Sequence, residues 1–267
     1  MLSDGGEKPQ NRLFFSGASK QIHKIWSDAF YQEYSCLPSS FLLPYKSIFV
    51  TTHKVSDKIM TELKRVCPNF KTSPRNKSKE LYLSISQPSI KYIFTRPKLE
   101  QQIAIRLWAN TEGSIGIRLD KKNKLITPYF QIACANPSII KELQRLCKIN
   151  MLNLTIIKDK KNWAGVGRLK STSIKSAINF LKMGGFIKGT KISSKSKSFK
   201  GLDKQEVLFG ILEFMLKQRK EDKYRIDDMN KIYKHIKDIV LKKEFKEESY
   251  YLDSFKKLNS WTFRGPR

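Results

Sequence analysis

The sequence predicts an α+β fold built from two similar units and a helical extension. Three observations carry that prediction: a helix that runs directly into a strand near residue 112, a set of segments recurring about 80 positions apart in the same order, and a strongly basic composition without any long apolar span. Ala104, Leu107, Trp108 and Thr111 fall at i, i+3, i+4 and i+7, one stripe of a helix. That helix starts near Lys98, where Pro97 suits a first turn and Glu100 complements the positive end of the dipole. Gly113 stops it, and the alternation from Ser114 to Leu119 reads as a strand. Glu112 therefore sits at the end of a helix where the dipole disfavours a carboxylate, a poor place for a structural acid and a reasonable one for a metal ligand.

The repeat is read from order and spacing. Ala18 to Glu33 forms a helical stripe ending Gln32-Glu33-Tyr34-Ser35, which lies 79 positions before Thr111-Glu112-Gly113-Ser114. Ile59, Glu62, Leu63, Arg65 and Cys67 are matched 80 positions on by Ile139, Glu142, Leu143, Arg145 and Cys147. Ser89-Ile90-Lys91 matches Ser173-Ile174-Lys175 at an offset of 84. Two long units with mixed elements indicate a duplicated domain and not a solenoid. Each unit then reads helix, two strands, helix, two strands, helix. In the second, strands are expected near Ser114–Leu119, Ile126–Ala133, Leu154–Lys158 and Trp163–Leu169, and helices near Lys98–Thr111, Pro137–Lys148 and Ser173–Lys182. The expected divisions are 1–14 as a disordered tail, 15–96 and 97–200 as the two units, and 201–267 as a helical extension without chemistry of its own.

An acid and Gly-Ser ending a helix, repeated, in an αββαββα order, resembles the LAGLIDADG homing endonucleases over roughly residues 15–220. The matching residues are Asn110, Thr111, Glu112, Gly113 and Ser114. The sequence departs from the family at Asn110, where an acid is usual, at Arg106 and Leu107, where small residues are usual, and at Tyr34, which stands in the glycine's place in the first copy. The resemblance implies two pseudo-symmetric αββαββα units with antiparallel DNA-binding sheets. It also implies metal-dependent hydrolysis of phosphodiesters in double-stranded DNA by a monomer. Glu33 and Glu112 would meet at the base of the helix pair and, with Gly113, hold Mg²⁺ or Mn²⁺. Lys98 and Lys200 are the basic residues carried over to the cleavage site. The alternative is the same fold kept as a nuclease-dead binding protein, either a transcription regulator or a maturase that binds intron RNA.

The charge agrees with a polyanionic partner: 52 Lys and Arg stand against 24 Asp and Glu, for a net charge of +28. Candidate DNA contacts are Lys46, Arg75 and Lys77 in the first unit. In the second they are Arg118, Lys121, Lys122, Lys124, Gln131, Lys158, Lys160, Lys161, Arg168 and Lys170. Gln and Arg can read base edges, whereas Lys mostly meets phosphate. Lys158 to Lys200 holds twelve Lys or Arg and a single acid, Asp159, and its Gly184-Gly185 and 193–198 parts suggest a flexible basic loop. No apolar run approaches a membrane span, and four cysteines without CxxC spacing fit buried thiols of an intracellular protein. His23, His53 and His235 form no metal or nucleophile pattern in the sequence.

Overall fold

The computed structural model describes residues 5–8, 11–17, 19–45, 48–66, 89–120, 125–134, 136–158, 166–192, 196, 198–221 and 229–256. The second unit follows the expected order. Helix α3 (Lys98–Glu112) leads into β5 (Gly113–Asp120) and β6 (Leu125–Ala133), then α4 (Pro137–Ile149), β7 (Thr155–Lys158), β8 (Val166–Ser171) and α5 (Ile174–Lys182). Its sheet runs β5-β6-β8-β7 with every pair antiparallel. Helix α4 starts because Pro137 fits N1 and the Asn136 side chain accepts from the amides of Ser138 and Ile139 at 2.9 and 3.1 Å.

The first unit differs from the expected order among its described residues. It opens with a hairpin, β1 (Gly5–Lys8) and β2 (Arg12–Gly17), ahead of α1 (Lys20–Tyr34), β3 (Ser40–Tyr45), β4 (Ile48–Lys54) and α2 (Asp57–Val66). Residues 5–8 and 11–17 are thus sheet where a disordered tail was expected, and Leu13 and Phe15 are buried on alternate positions of β2. The strand order is β1-β2-β4-β3, again antiparallel throughout. Hairpin, helix, hairpin, helix with this strand order repeats the topology of the second unit from β5 onward, which makes α1 the counterpart of α4 and α2 the counterpart of α5.

The helix caps fix that correspondence. Ser19 caps α1 and Asn136 caps α4, 117 positions apart (136 less 19). Ser56 accepts from the Ile59 amide at the start of α2, Ser173 caps α5, and these too are 117 apart (173 less 56). The sequence repeat at 79 and 80 is therefore one helix out of step. It matched amphipathic periods that any helix resting on a sheet displays. The residues paired by it behave differently: Glu62 is exposed, while Glu142 accepts from the Ser89 hydroxyl and the Ile90 amide.

After α5 come α6 (Lys204–Glu221), α7 (Met229–Leu241) and α8 (Glu248–Lys256). The extension is structural core and no appendage: Val207, Leu208, Ile211 and Leu212 on α6 are fully buried in one hydrophobic cluster with Ile105, Ile117, Phe130 and Ile236. Gly210 lets α6 and α7 touch, since a Cβ there would lie 2.6 Å from the Val240 side chain.

Candidate nucleic-acid interface

Strand alternation divides the second sheet into two faces. Ile115, Ile117, Phe130, Ile132 and Leu169 point into the core. The other face carries Ser114, Gly116 and Arg118 on β5, Tyr129 and Gln131 on β6, and Arg168 and Lys170 on β8. Ser114, Gln131 and Lys170 form one cross-strand row. Gln131 donates to the Ser114 hydroxyl at 2.9 Å and accepts from Arg168 at 3.4 Å, so its amide is held in place. Tyr129 lies across Gly116, where a Cβ would come within 2.6 Å of the phenol, and Lys170 stands 4.7 Å over the Tyr129 ring. Partial burial, with Arg118 and Arg168 nearby, holds the Lys170 ammonium below its ordinary pKa. Three cations crowd one face at a cost that an incoming polyanion removes.

The end of α3 is the second feature. Gly113 is the C-cap in extended conformation, and its N–H donates to the Ala109 carbonyl. Glycine is required there by space: a Cβ would sit 2.3 Å from the Ala109 carbonyl oxygen. Beside this junction a cleft of about 360 Å³ is lined by Phe15, Ser19 and Ile22 of the first unit. Asn110 to Ile115, Tyr129, Thr190 to Ile192, Phe199, Lys204 and Tyr233 also line it.

Two of the departures from the family motif, Arg106 and Asn110, bind the segment after α5. Arg106 donates to the carbonyls of Gly185 and Gly184, both at 3.0 Å, and burial lowers its pKa. Asn110, 3% exposed, accepts from the Ile187 amide at 2.8 Å. Gly184 and Gly185 have φ of +92° and +56°, conformations that favour glycine. Residues 184, 185 and 187 are thus bonded to α3, contrary to the flexibility expected of Gly184-Gly185. Three consecutive residues complete the clip. Asp203 accepts from the Gly189 amide and caps α6, Gln205 accepts from the Phe186 amide, and Lys204 reaches α3 itself.

Lys204 was not singled out in the sequence. It is 6% exposed, and its Nζ lies 2.7 Å from the Asn110 carbonyl oxygen, 2.8 Å from that of Gly113 and 3.5 Å from that of Ala109. The legible signal was a lysine in the first turn of α6, against the dipole of its own helix.

The carried-over catalytic set does not assemble. Glu112 lines the cleft and Glu33 does not. The α1 end that faces the cleft is its start, at Ser19 and Ile22; exposed Glu33 lies about 16 Å further along the axis at 1.5 Å per residue. Lys98 begins α3, about 21 Å along the same helix from Glu112. Lys200 is exposed in the turn before α6, next to the cleft-lining Phe199. Of the expected DNA contacts, Arg118, Gln131, Arg168 and Lys170 share the outer face, and Lys158 is exposed at the end of β7. Lys46, Arg75, Lys77, Lys121, Lys122, Lys124, Lys160 and Lys161 lie outside the described residues.

The donor set does not fit the Mg²⁺ or Mn²⁺ that the resemblance implies. Such ions need several oxygen ligands in near-octahedral array. Here the Gly113 carbonyl is taken by an ammonium, and the second acid is at the far end of its helix.

The fold class is α+β, with two four-stranded antiparallel sheets of the same strand order. No protein-family model and none of the curated proteins matches the chain. Among solved structures it is similar to the N-terminal LAGLIDADG domain of DUF199/WhiA, at 14% identity over 70% of this chain and 78% of that one, with a TM-score of 0.43. Full-length DUF199/WhiA from Thermatoga maritima matches at 13% identity over 90% of this chain, which spans 63% of that protein, with a TM-score of 0.44. I-DmoI in complex with DNA and Mn matches at 15% identity over 68% of this chain and 89% of that one, with a TM-score of 0.42. Among the described residues no helix is long and apolar enough to cross a membrane.

Proposed function

We propose that the protein binds duplex DNA with the outer face of its second sheet and acts as a binding module, not a nuclease. The observation that carries this is the cluster of Arg118, Arg168 and Lys170 around a Gln131 amide held by Ser114 and Arg168. Three side chains able to read base edges, Arg118, Gln131 and Arg168, and one suited to phosphate, Lys170, stand on a single sheet surface. The test is a titration of a random-sequence duplex across a salt series, comparing wild type with Arg118→Ala/Arg168→Ala/Lys170→Ala. The slope of log K against log salt should fall by up to about 2.7, at about 0.9 per phosphate contact. An unchanged slope refutes the assignment, and tighter binding to folded RNA than to duplex supports the maturase alternative.

Metal-dependent endonuclease activity is the second reading, favoured by Glu112 lining the cleft one residue before β5. Plasmid cleavage in Mg²⁺ that is lost in Glu112→Gln would establish it.

A further inference from the structure

We propose that the Lys204 ammonium is a built-in cation that takes the place of a divalent metal at the end of α3. The inference needs no DNA contact, so it stands or falls apart from the binding proposal.

The end of a helix gathers negative partial charge on carbonyls that have no intrahelical donor. At α3 the Asn110 carbonyl carries this load, with that of Gly113 just beyond, the Ala109 carbonyl already accepting from the Gly113 N–H, and Glu112 lining the same cleft. An oxygen-rich, negatively polarised point of this kind calls for a cation. Lys204 supplies one, with its Nζ within 2.7 to 3.5 Å of all three carbonyl oxygens. An ammonium has three donors and no acceptor, so carbonyl oxygens are suitable partners for it.

The placement is built, not incidental. Lys204 is 6% exposed, and its stem is fixed by Asp203 and Gln205 on either side, each holding an amide of the 186–189 segment. The side chain also lies 5.6 Å over the Phe186 ring, a second contact that favours a cation. At the first turn of α6 the charge opposes the dipole of its own helix, so the position serves α3. A divalent ion seated on the Gly113 carbonyl and Glu112 would have to share oxygens with this ammonium at close range and face its repulsion. The lysine thus both stabilises the junction and excludes the metal.

The full-length chain tests this with Mn²⁺ as the probe, free ion being read by its electron paramagnetic resonance signal. Wild type and Glu112→Gln should take up the same amount of Mn²⁺. Uptake by wild type that Glu112→Gln abolishes overturns the proposal. In metal-free buffer Lys204→Ala should melt about 5–10 °C below wild type, as expected when a buried, fully bonded charge is lost from a chain of this size. Added Mn²⁺ should recover part of that loss in Lys204→Ala, should do nothing for wild type, and should fail in Lys204→Ala/Glu112→Gln. A Lys204→Ala protein whose melting is the same as wild type, or is untouched by Mn²⁺, overturns the proposal. Should Lys204→Ala not fold, Lys204→Gln, which keeps two N–H donors without the charge, should fold and show the same Glu112-dependent rescue; its absence there is equally decisive.

Discussion

The two sheets share one topology and one cap spacing, yet they are supported very differently. The second rests on α3, α4, α5 and the three C-terminal helices, with one continuous cluster reaching from Ile90 to Phe255. Among described residues the first has a cluster of four fully buried apolar side chains, Leu13, Phe30, Val55 and Met60. Beside its apolar residues it buries two histidines. His23 meets the Thr51 hydroxyl at 2.7 Å, and His53 bonds the Cys36 carbonyl at 3.2 Å while Trp26 and Phe30 enclose its ring. Among the described residues, then, the same frame is held by an extended apolar cluster in one half and by an apolar cluster with buried histidines in the other. Chemistry inferred by symmetry need not transfer between them.

Truncating the larger core should have the largest effect. Phe130→Ala, at a residue 1% exposed and packed on Phe180, should cost about 3–5 kcal/mol and shift the main unfolding transition in a urea titration. Phe30→Ala should leave that transition in place and speed amide exchange only in β1 to β4, because its cluster is separate. A shared loss of the main transition in both variants would show that the two halves unfold as one.

A smaller difference should appear with pH. Burial pushes the His53 pKa below the ordinary value, opposed in part by its bond to the Cys36 carbonyl. The folded state then holds fewer protons than the unfolded one, so stability is complete above about pH 6.5 and is lost as pH falls below it toward the folded pKa. Protection factors in the first sheet, corrected for the intrinsic pH dependence of amide exchange, should fall from pH 7 to 5.5 in wild type and much less in His53→Gln.

The same contrast explains what could be read from the sequence. Second-unit elements were legible to within a few residues because Pro97, Gly113, Asn136-Pro137 and Ser173 punctuate strong periodic runs. Of the outer-face residues, Gln131 followed from its alternation with Phe130 and Ile132, and Arg118, Arg168 and Lys170 from their positions on the expected strands. The first unit was misread because Leu13, Phe14 and Phe15 form too short a run to announce a hairpin, and because helix periods matched at the wrong offset. The Glu33 assignment fell with that offset. The partners of Lys204 could not be read, because they are main-chain oxygens 91 to 95 positions away, which no side-chain pattern encodes.

The central claim is that the outer face of the second sheet, and not basic charge at large, engages DNA. Two charge-reversed proteins of identical net charge test it most directly. One carries Arg118→Glu/Arg168→Glu on the sheet, the other Lys58→Glu/Lys64→Glu at exposed positions of α2. In a fluorescence anisotropy titration with one random duplex at moderate salt, the sheet variant should bind at least tenfold more weakly than the helix variant, about 1.4 kcal/mol. Equal losses in the two proteins would contradict the assignment.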